Sequence, residues 1–383
     1  MEYRRLGDIA TYINGYAFKP EQRGETGLPI IRIQDLTGNS YDLGYYDGEY
    51  PAKIEINNDD VLISWSASLG VYVWKNGKAL LNQHIFKVVF DKCYVDKCFF
   101  VYQVQSILER YSSQAHGATM KHLTKPVFDA LPFYYPPIDE QRCIAAVLDK
   151  AAALIDLRKQ QLAKLDELVK ARFVEMFGAP SDNPMGWPVV NINEVIGGKV
   201  SNGFFAKRDD YCDNGNVQVL GVVNVVNRMY SGIEDLPKTN GTSSDIAKYG
   251  VKYGDMLFCR SSLVAEGIGK ASIVPKNTDN NVLFECHVIR LPLDLGKCVP
   301  EFMQVLSTTD YFRRQIIAQS KTATMTTIGQ DGILKSSIIL PPIEKQREFY
   351  DFVKQLDKSK VAVQKALDEA QLLFDSLMQQ YFG

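Results

Sequence analysis

The sequence contains no run of about 18 apolar residues, so no segment is long enough to form a membrane-spanning helix. Residues Met1 to Arg5 are not followed by an apolar stretch of signal-peptide length. Charge of one sign is also missing: 43 Lys and Arg stand against 45 Asp and Glu, a net charge of -2. A free-standing nucleic-acid binder usually carries a clear basic excess, and that balance alone argues against one. There are four histidines, His84, His116, His122 and His287, and none stands at metal-ligand spacing from another. The seven cysteines are Cys93, Cys98, Cys143, Cys212, Cys259, Cys286 and Cys298, with no C-x-x-C among them. Even Cys93 and Cys98 taken with Cys286 and His287 make a poor zinc set, and the cysteines read as reduced thiols. These absences lead us to expect a cytoplasmic protein with no metal, no cofactor and no membrane partner.

Catalytic signatures are absent too. No G-x-x-x-x-G-K-[ST] loop is present to cradle a nucleoside triphosphate, and Gly267-Ile268-Gly269 lacks the third glycine of a dinucleotide fingerprint. Tyr135-Pro136-Pro137 and Leu340-Pro341-Pro342 superficially match the Asn/Asp-Pro-Pro-aromatic signature of amino-methyltransferases. Both lack the acid or amide that would accept the amine protons, and both lack the following aromatic. They read as helix-entry punctuation. A disordered chain is excluded by 46% hydrophobic and 11% aromatic residues.

What the chain does contain is a copy of itself. Ala118-Thr119-Met120 returns as Ala323-Thr324-Met325, an offset of 323 − 118 = 205. At the same offset Pro136-Pro137-Ile138-x-x-Gln141-Arg142 meets Pro341-Pro342-Ile343-x-x-Gln346-Arg347, and Phe177-Gly178 meets Phe382-Gly383. Each proline pair ends an extended stretch, and Asp139 or Glu344 then suits a helix N-terminus. Leu148, Ile155, Leu162, Val169 and Met176 recur every seven residues; so do Phe349, Leu356, Val363, Ala370 and Leu377, with Val353, Leu367, Phe374 and Tyr381 four positions on. Heptads of that length predict two helices of about 40 residues, each about 60 Å long, that pair as a coiled coil.

The preceding regions are mixed. Strand-like runs occur at 29–33, 61–64, 85–90, 217–220 and 288–291, and short helices are expected near 99–110 and 301–318. Asp60-Val61-Leu62-Ile63-Ser64 matches Asp255-Met256-Leu257-Phe258-Cys259 weakly, and His84-Ile85-Phe86-Lys87 matches His287-Val288-Ile289-Arg290. The expected domains are 1–138, a helix over 139–178, a linker over 179–186, a second domain over 187–343 and a second helix over 344–383. Gly178 to Trp187 is the turn-rich link between the halves. Residues 1–138 hold 14 basic and 15 acidic residues, so the first globular region is not basic either.

This tandem of a mixed domain and a long helix, each helix announced by Pro-Pro-Ile-x-x-Gln-Arg, resembles the specificity subunits of type I restriction–modification enzymes. The resemblance covers essentially the whole chain and includes pieces such as Leu6-Gly7-Asp8-Ile9, Ile13-Asn14-Gly15 and Gly117-Ala118-Thr119. It implies an α+β chain with two mixed α/β target-recognition domains, each reading half of a bipartite site in double-stranded DNA. The helices would lie antiparallel, with pseudo-two-fold symmetry, as a ruler between the domains and a docking surface for two methyltransferase subunits. Those partners would bring S-adenosylmethionine, and restriction/translocase subunits would bring ATP. The chain itself would catalyse nothing. Because the two domains share little sequence, the two half-sites should differ.

Base reading needs donors and acceptors in the groove. The candidates in the first domain are Ser64, Ser66, Ser68, Asn82, Gln83, His84, His116, Thr119, Lys121 and His122. In the second they are Lys207, Arg208, Arg260, Ser261, Ser262, His287, Lys321, Thr322, Thr324, Thr326 and Thr327. The polar turns Asn14-Gly15-Tyr16 with Lys19, and Asn202-Gly203-Phe204 with Lys207-Arg208, are further candidates. Trp65 and Trp74 are expected in the core. The helix interface should use Leu148, Ile155, Leu162 and Val169 with Leu356, Val363, Leu367 and Phe374. Two other readings are a DNA methyltransferase with its own recognition domain and a non-DNA coiled-coil adaptor. The first requires cofactor and catalytic motifs that the sequence lacks; the second has no need of matching polar loops.

Overall fold

A computed structural model describes residues 2–38, 42–114 and 123–383. The chain forms two compact units, Met1–Lys159 with Lys365–Gly383, and Gln160–Gln364. Among the described residues no helix is long and apolar enough to cross a membrane.

In the first unit the strand Tyr3–Arg5 pairs antiparallel with Pro132–Tyr134, so the globular part is closed by its own two ends. Between them lie two four-stranded sheets. One is antiparallel throughout, in the order Thr11–Asn14, Ile85–Val89, Val61–Ser64, Gly70–Val73. The other runs Tyr45–Tyr46, Leu28–Ile31, Ala79–Leu81, Glu55–Ile56, with its central pair parallel. The alternation along Val61–Ser64 shows why the run is apolar on both faces. Val61 and Ile63 join a core with Phe86 and Phe100, while Leu62 points into a second core with Ile31, Leu81 and Trp74.

The second unit repeats this order. Val189–Asn191 pairs with Ser337–Ile339, and one sheet runs Ser201–Asn202, Val288–Pro292, Asp255–Cys259, Ala271–Ile273. The other contains Lys238–Thr239, Val217–Leu220 and Val282–Phe284, the last two again parallel. Met256 and Phe258 face one core and Leu257 the other, as in the first unit. Two local readings change. The expected strand at 29–33 stops at Ile31, because the Asp35 carboxylate accepts from the Arg32 amide at 2.7 Å and turns Ile33–Leu36 into a short helix. The helix expected over 301–318 is two, Pro300–Thr308 and Asp310–Gln319. Thr309 is extended and its hydroxyl caps the second at Phe312 N, 3.4 Å away.

The long helices are Ile138–Phe177 and Ile343–Phe382, each of 40 residues. The first unit holds the start of one and the end of the other: Ile144 and Leu148 share a core with Phe382, joined by Phe374, Leu377 and Tyr381. In the second unit Val169, Phe173 and Phe177 meet Phe349 and Val353, and Lys360 bonds to Asp166 at 2.7 Å. Start meets end in each, so the pair runs antiparallel. Leu148, Ile155 and Val169 are buried, whereas Leu162, Leu356, Val363, Leu367 and Phe374 are half-buried. After Phe177, Gly178 takes φ +76°, where a side chain would be strained and would meet Pro184. Trp187 then donates its indole N–H to the Phe177 carbonyl at 3.0 Å.

The repeated Gln of Pro-Pro-Ile-x-x-Gln-Arg explains itself here. Gln346 is fully buried; its Oε1 accepts from Val299 N at 2.9 Å and its Nε2 donates to the Pro341 carbonyl at 2.8 Å. Gln141 does the same with Asp96 N at 3.0 Å and Pro136 O at 2.8 Å. Each amide thus ties the first turn of a long helix to the N-terminal end of a domain helix. Gln346→Leu leaves a buried N–H and carbonyl without partners and should destabilise the chain by about 2–4 kcal/mol. Chemical denaturation checks it; an unchanged midpoint would mean the amide is dispensable.

Candidate nucleic-acid interface

In the first unit the strand Ala79–Leu81 leads into the turn Asn82-Gln83-His84, which reverses into Ile85–Val89. The turn is pinned by main-chain bonds: Tyr16 N donates to Leu81 O at 2.8 Å, and Gln83 N to Tyr16 O at 2.9 Å. Gly15 makes this approach possible, since a Cβ there would lie 1.9 Å from the Asn82 carbonyl oxygen. His84 closes the turn in the left-handed region at φ +71°, its ring edge-on to Trp65 at 4.8 Å. Trp65 also stacks on Phe86 and donates to Asn14 Oδ1 at 3.2 Å, while Trp74 is buried.

Ser66, Ser68, Asn82, Gln83 and His84 line one open cleft of about 800 Å³. Ser64 is not among them: it is buried in its strand, and its hydroxyl donates to the carbonyls of Ser68 and Gly70. His116, Thr119, Lys121 and His122 lie outside the described residues. Sequence reasoning did not pick out Arg32, which shares the cleft. Its register is next to Asn82, because Ile31 pairs with Leu81 and Asn82 N donates to Ile31 O at 3.1 Å. Arg32 and Asn82 are only 9% and 8% exposed, yet Arg32 Nη2 and Asn82 Oδ1 make no hydrogen bond among the described residues. Asp35 takes Arg32 Nε at 3.3 Å, while Nη2 has no partner among the described residues. A lone arginine inside the apolar run Pro29-Ile30-Ile31-Arg32-Ile33 was the available signal, since Arg is seldom buried without a partner.

The second unit builds the same turn from Glu285-Cys286-His287. Phe204 bridges Glu285 in parallel as Tyr16 bridges Asn82, and a Cβ on Gly203 would lie 2.2 Å from the Glu285 carbonyl. Its chemistry differs. Gly221, which follows the strand Val217–Leu220, stands where Arg32 does, and Glu285 Oε1 accepts from Val222 N at 2.7 Å. The equivalent position is therefore satisfied internally.

Beside this turn the second unit carries a ribbon of three short strands, Ser261–Ser262, Thr326–Thr327 and Lys321–Thr322. The Thr322 and Thr326 hydroxyls are 3.0 Å apart, and His287 Nδ1 lies 3.2 Å from Ser261 Oγ. Arg260 joins turn and ribbon: its N–H donates to His287 O at 2.8 Å, its Nη1 to Cys286 O at 3.2 Å, and its carbonyl accepts from Ile328 N at 3.0 Å. Arg260, Ser261, Ser262, His287, Lys321, Thr322, Thr326 and Thr327 thus come together, with Thr324 in the exposed bend. Thr326 itself is buried. Lys207 and Arg208 sit apart on an exposed single turn, Arg208–Asp210, where Lys207 N donates to Asp210 Oδ2 at 2.7 Å. Hydroxyls, amides and imidazoles in these positions can donate and accept hydrogen bonds to polar edges.

The family model for the type I restriction modification DNA specificity domain matches the chain twice, over residues 1–167 and 184–370. The chain is 24% identical to the type I restriction enzyme EcoBI specificity subunit of Escherichia coli, covering 98% of this chain and 83% of that protein. It is 23% identical to the MjaVIII specificity subunit of Methanocaldococcus jannaschii, over 95% of this chain and 89% of that one. The fold resembles that of the type I restriction–modification S subunit of M. genitalium, with a TM-score of 0.51 at 14% identity, covering 100% of this chain and 96% of that one. A chain from a structure on complex assembly and conformational transition of the type I R-M system gives 0.53, also at 14% identity, covering 100% and 97%.

The pinned turns make a common prediction for the two units. Gly15→Ala and Gly203→Ala each force a methyl group into a main-chain carbonyl and should cost about 1–3 kcal/mol. Denaturation midpoints test this; wild-type stability in either variant would show that the turn yields more easily than its bonds imply.

Proposed function

The chain belongs to the type I restriction–modification DNA specificity family, as a non-catalytic specificity subunit, and on that premise we propose that its two globular domains each read one half of a bipartite, asymmetric DNA site. The observation that carries this reading is the pairing of one backbone plan with two different polar rims. A common plan presents turn and loop to the duplex in a similar way, and different side chains on it read different bases. The first domain offers amide and hydroxyl groups of Asn82, Gln83 and Ser68 with His84 and the segment 115–122. The second offers Arg260, His287 and the Thr-rich ribbon.

The two long helices would set the spacing between half-sites, as rigid dimers do for palindromic operators. They would also dock two methyltransferase subunits, with restriction/translocase subunits completing the complex in the cytoplasm. Their surfaces suit a partner: Leu157, Val361, Leu372 and Leu373 are exposed large apolar residues on these helices. S-adenosylmethionine and ATP would belong to the partners. With a net charge of -2, strong phosphate attraction is not built into this chain, and the partners would supply much of the electrostatic grip.

Replacing residues 320–327 should change or abolish recognition of one half-site while leaving assembly with the methyltransferase intact; recognition of the original site by the altered complex would remove the ribbon from the reading. Leu162→Lys and Leu367→Lys should loosen the helix pair and disturb spacer length and docking, which site sequencing and co-purification report. Alone, the chain should bind DNA weakly, because it neutralises few phosphates. Tight, salt-resistant binding by the isolated chain would contradict the division of labour with its partners.

A further inference from the structure

We infer that Arg32 and Asn82 form a paired donor–acceptor that reads one base pair through its major-groove edge in the half-site of the first domain. The inference rests on the reading of this domain as a DNA-recognition module and adds the residues that discriminate. The two residues line the same cleft, and each is more than nine-tenths buried with a polar atom that has no hydrogen-bond partner among the described residues. A buried donor and a buried acceptor without partners on one cleft are costly in a monomer, so a ligand seated in the cleft that completes both gives a physical reason for keeping them.

Their geometry is set before any ligand arrives. Asp35 holds both the Arg32 main-chain N–H and its Nε, which fixes the guanidinium with Nη2 unengaged. Asn82 is fixed through its own N–H to Ile31 and through the close approach of Gly15. Ordering therefore costs little on binding. Parallel strand neighbours sit about 4.8 Å apart. Ile31 and Leu81 are register partners, so Arg32 and Asn82 leave these two strands at neighbouring positions.

The complement is an acceptor flanked by an exocyclic amine. Adenine presents it on one base, as N7 beside the N6 amine; a G·C pair presents it across the pair, as guanine O6 beside the cytosine N4 amine. A phosphate offers acceptors only and would leave Asn82 Oδ1 unmatched. The second domain has no such pair, because Gly221 replaces Arg32 and Glu285 is engaged by Val222 N. The consequence should therefore fall on one half-site alone.

The test uses the chain assembled with cognate methyltransferase subunits and a DNA library sequenced for modified sites. The unsubstituted complex should modify one bipartite site. Asn82→Ala and Arg32→Gln should each lower discrimination at one base pair of one half-site by about 10- to 100-fold. The other half-site and the spacer should stay unchanged, and the identity of the relaxed pair distinguishes adenine from G·C. A misfolded domain would instead lose recognition at every position of its half-site. Because Arg32 also supports Asp35, Asn82→Ala carries the test alone if Arg32→Gln does not assemble. Retention of the original site by assembled variants, or relaxation in the other half-site, overturns the assignment while leaving the proposed function standing. Failure of the unsubstituted complex to modify any specific sequence overturns both.

Discussion

A 40-residue helix keeps a defined direction from a globular domain only if its first turn is anchored, and here the anchor is a buried carboxamide. Gln141 and Gln346 each accept one main-chain N–H from the start of a domain helix and donate to the carbonyl of the first proline before the long helix. A carboxamide suits the place because it supplies donor and acceptor together without charge, where an ionised group would meet a large desolvation cost. The two prolines hold the chain extended up to that point and then release it into the helix. Helix register, and with it the set of residues facing the partner helix, follows from this junction.

The same economy of plan governs the two globular parts. Gly15 and Gly203 let a neighbouring strand end approach main chain to main chain, and the turn after each parallel strand is held in one conformation. Once the backbone is fixed, the rim side chains can vary without disturbing the core, since they lie where strands run out. Asn82 on a cleft shared with Arg32 in one unit, and Glu285 capping a short helix in the other, are two outcomes on one frame. On the proposed reading of two unlike half-sites by related domains, such a separation of frame from rim is what recognition would need.

Charge fits this division as well. The long helices and the domains are close to neutral, so contacts to base edges rather than phosphate attraction would dominate what the chain contributes. On the proposed reading, the lack of a basic excess reflects how DNA contacts would be shared with partner subunits.

Much of this was legible without coordinates. The 205-residue offset, the heptads and the Pro-Pro-Ile-x-x-Gln-Arg motif are patterns of spacing, and spacing along a chain is preserved in a helix. They identified the two halves, the paired helices and the family resemblance. The apolar runs likewise marked the central strands, because a strand buried on both faces is apolar at every position. Local sequence could not say that Arg32 lines the same cleft as Asn82, fifty residues on, because strand register brings the two positions together. Nor could it separate Ser64, whose hydroxyl is closed off inside the strand, from Ser66 and Ser68 on the cleft. It could not give Gln141 its partner either, since Asp96 N reaches the helix only after the domain has closed. Periodicity, then, was written in the chain, whereas which polar atoms remain open was decided by the tertiary structure, because satisfaction of a buried group depends on neighbours that only folding brings within 3 Å.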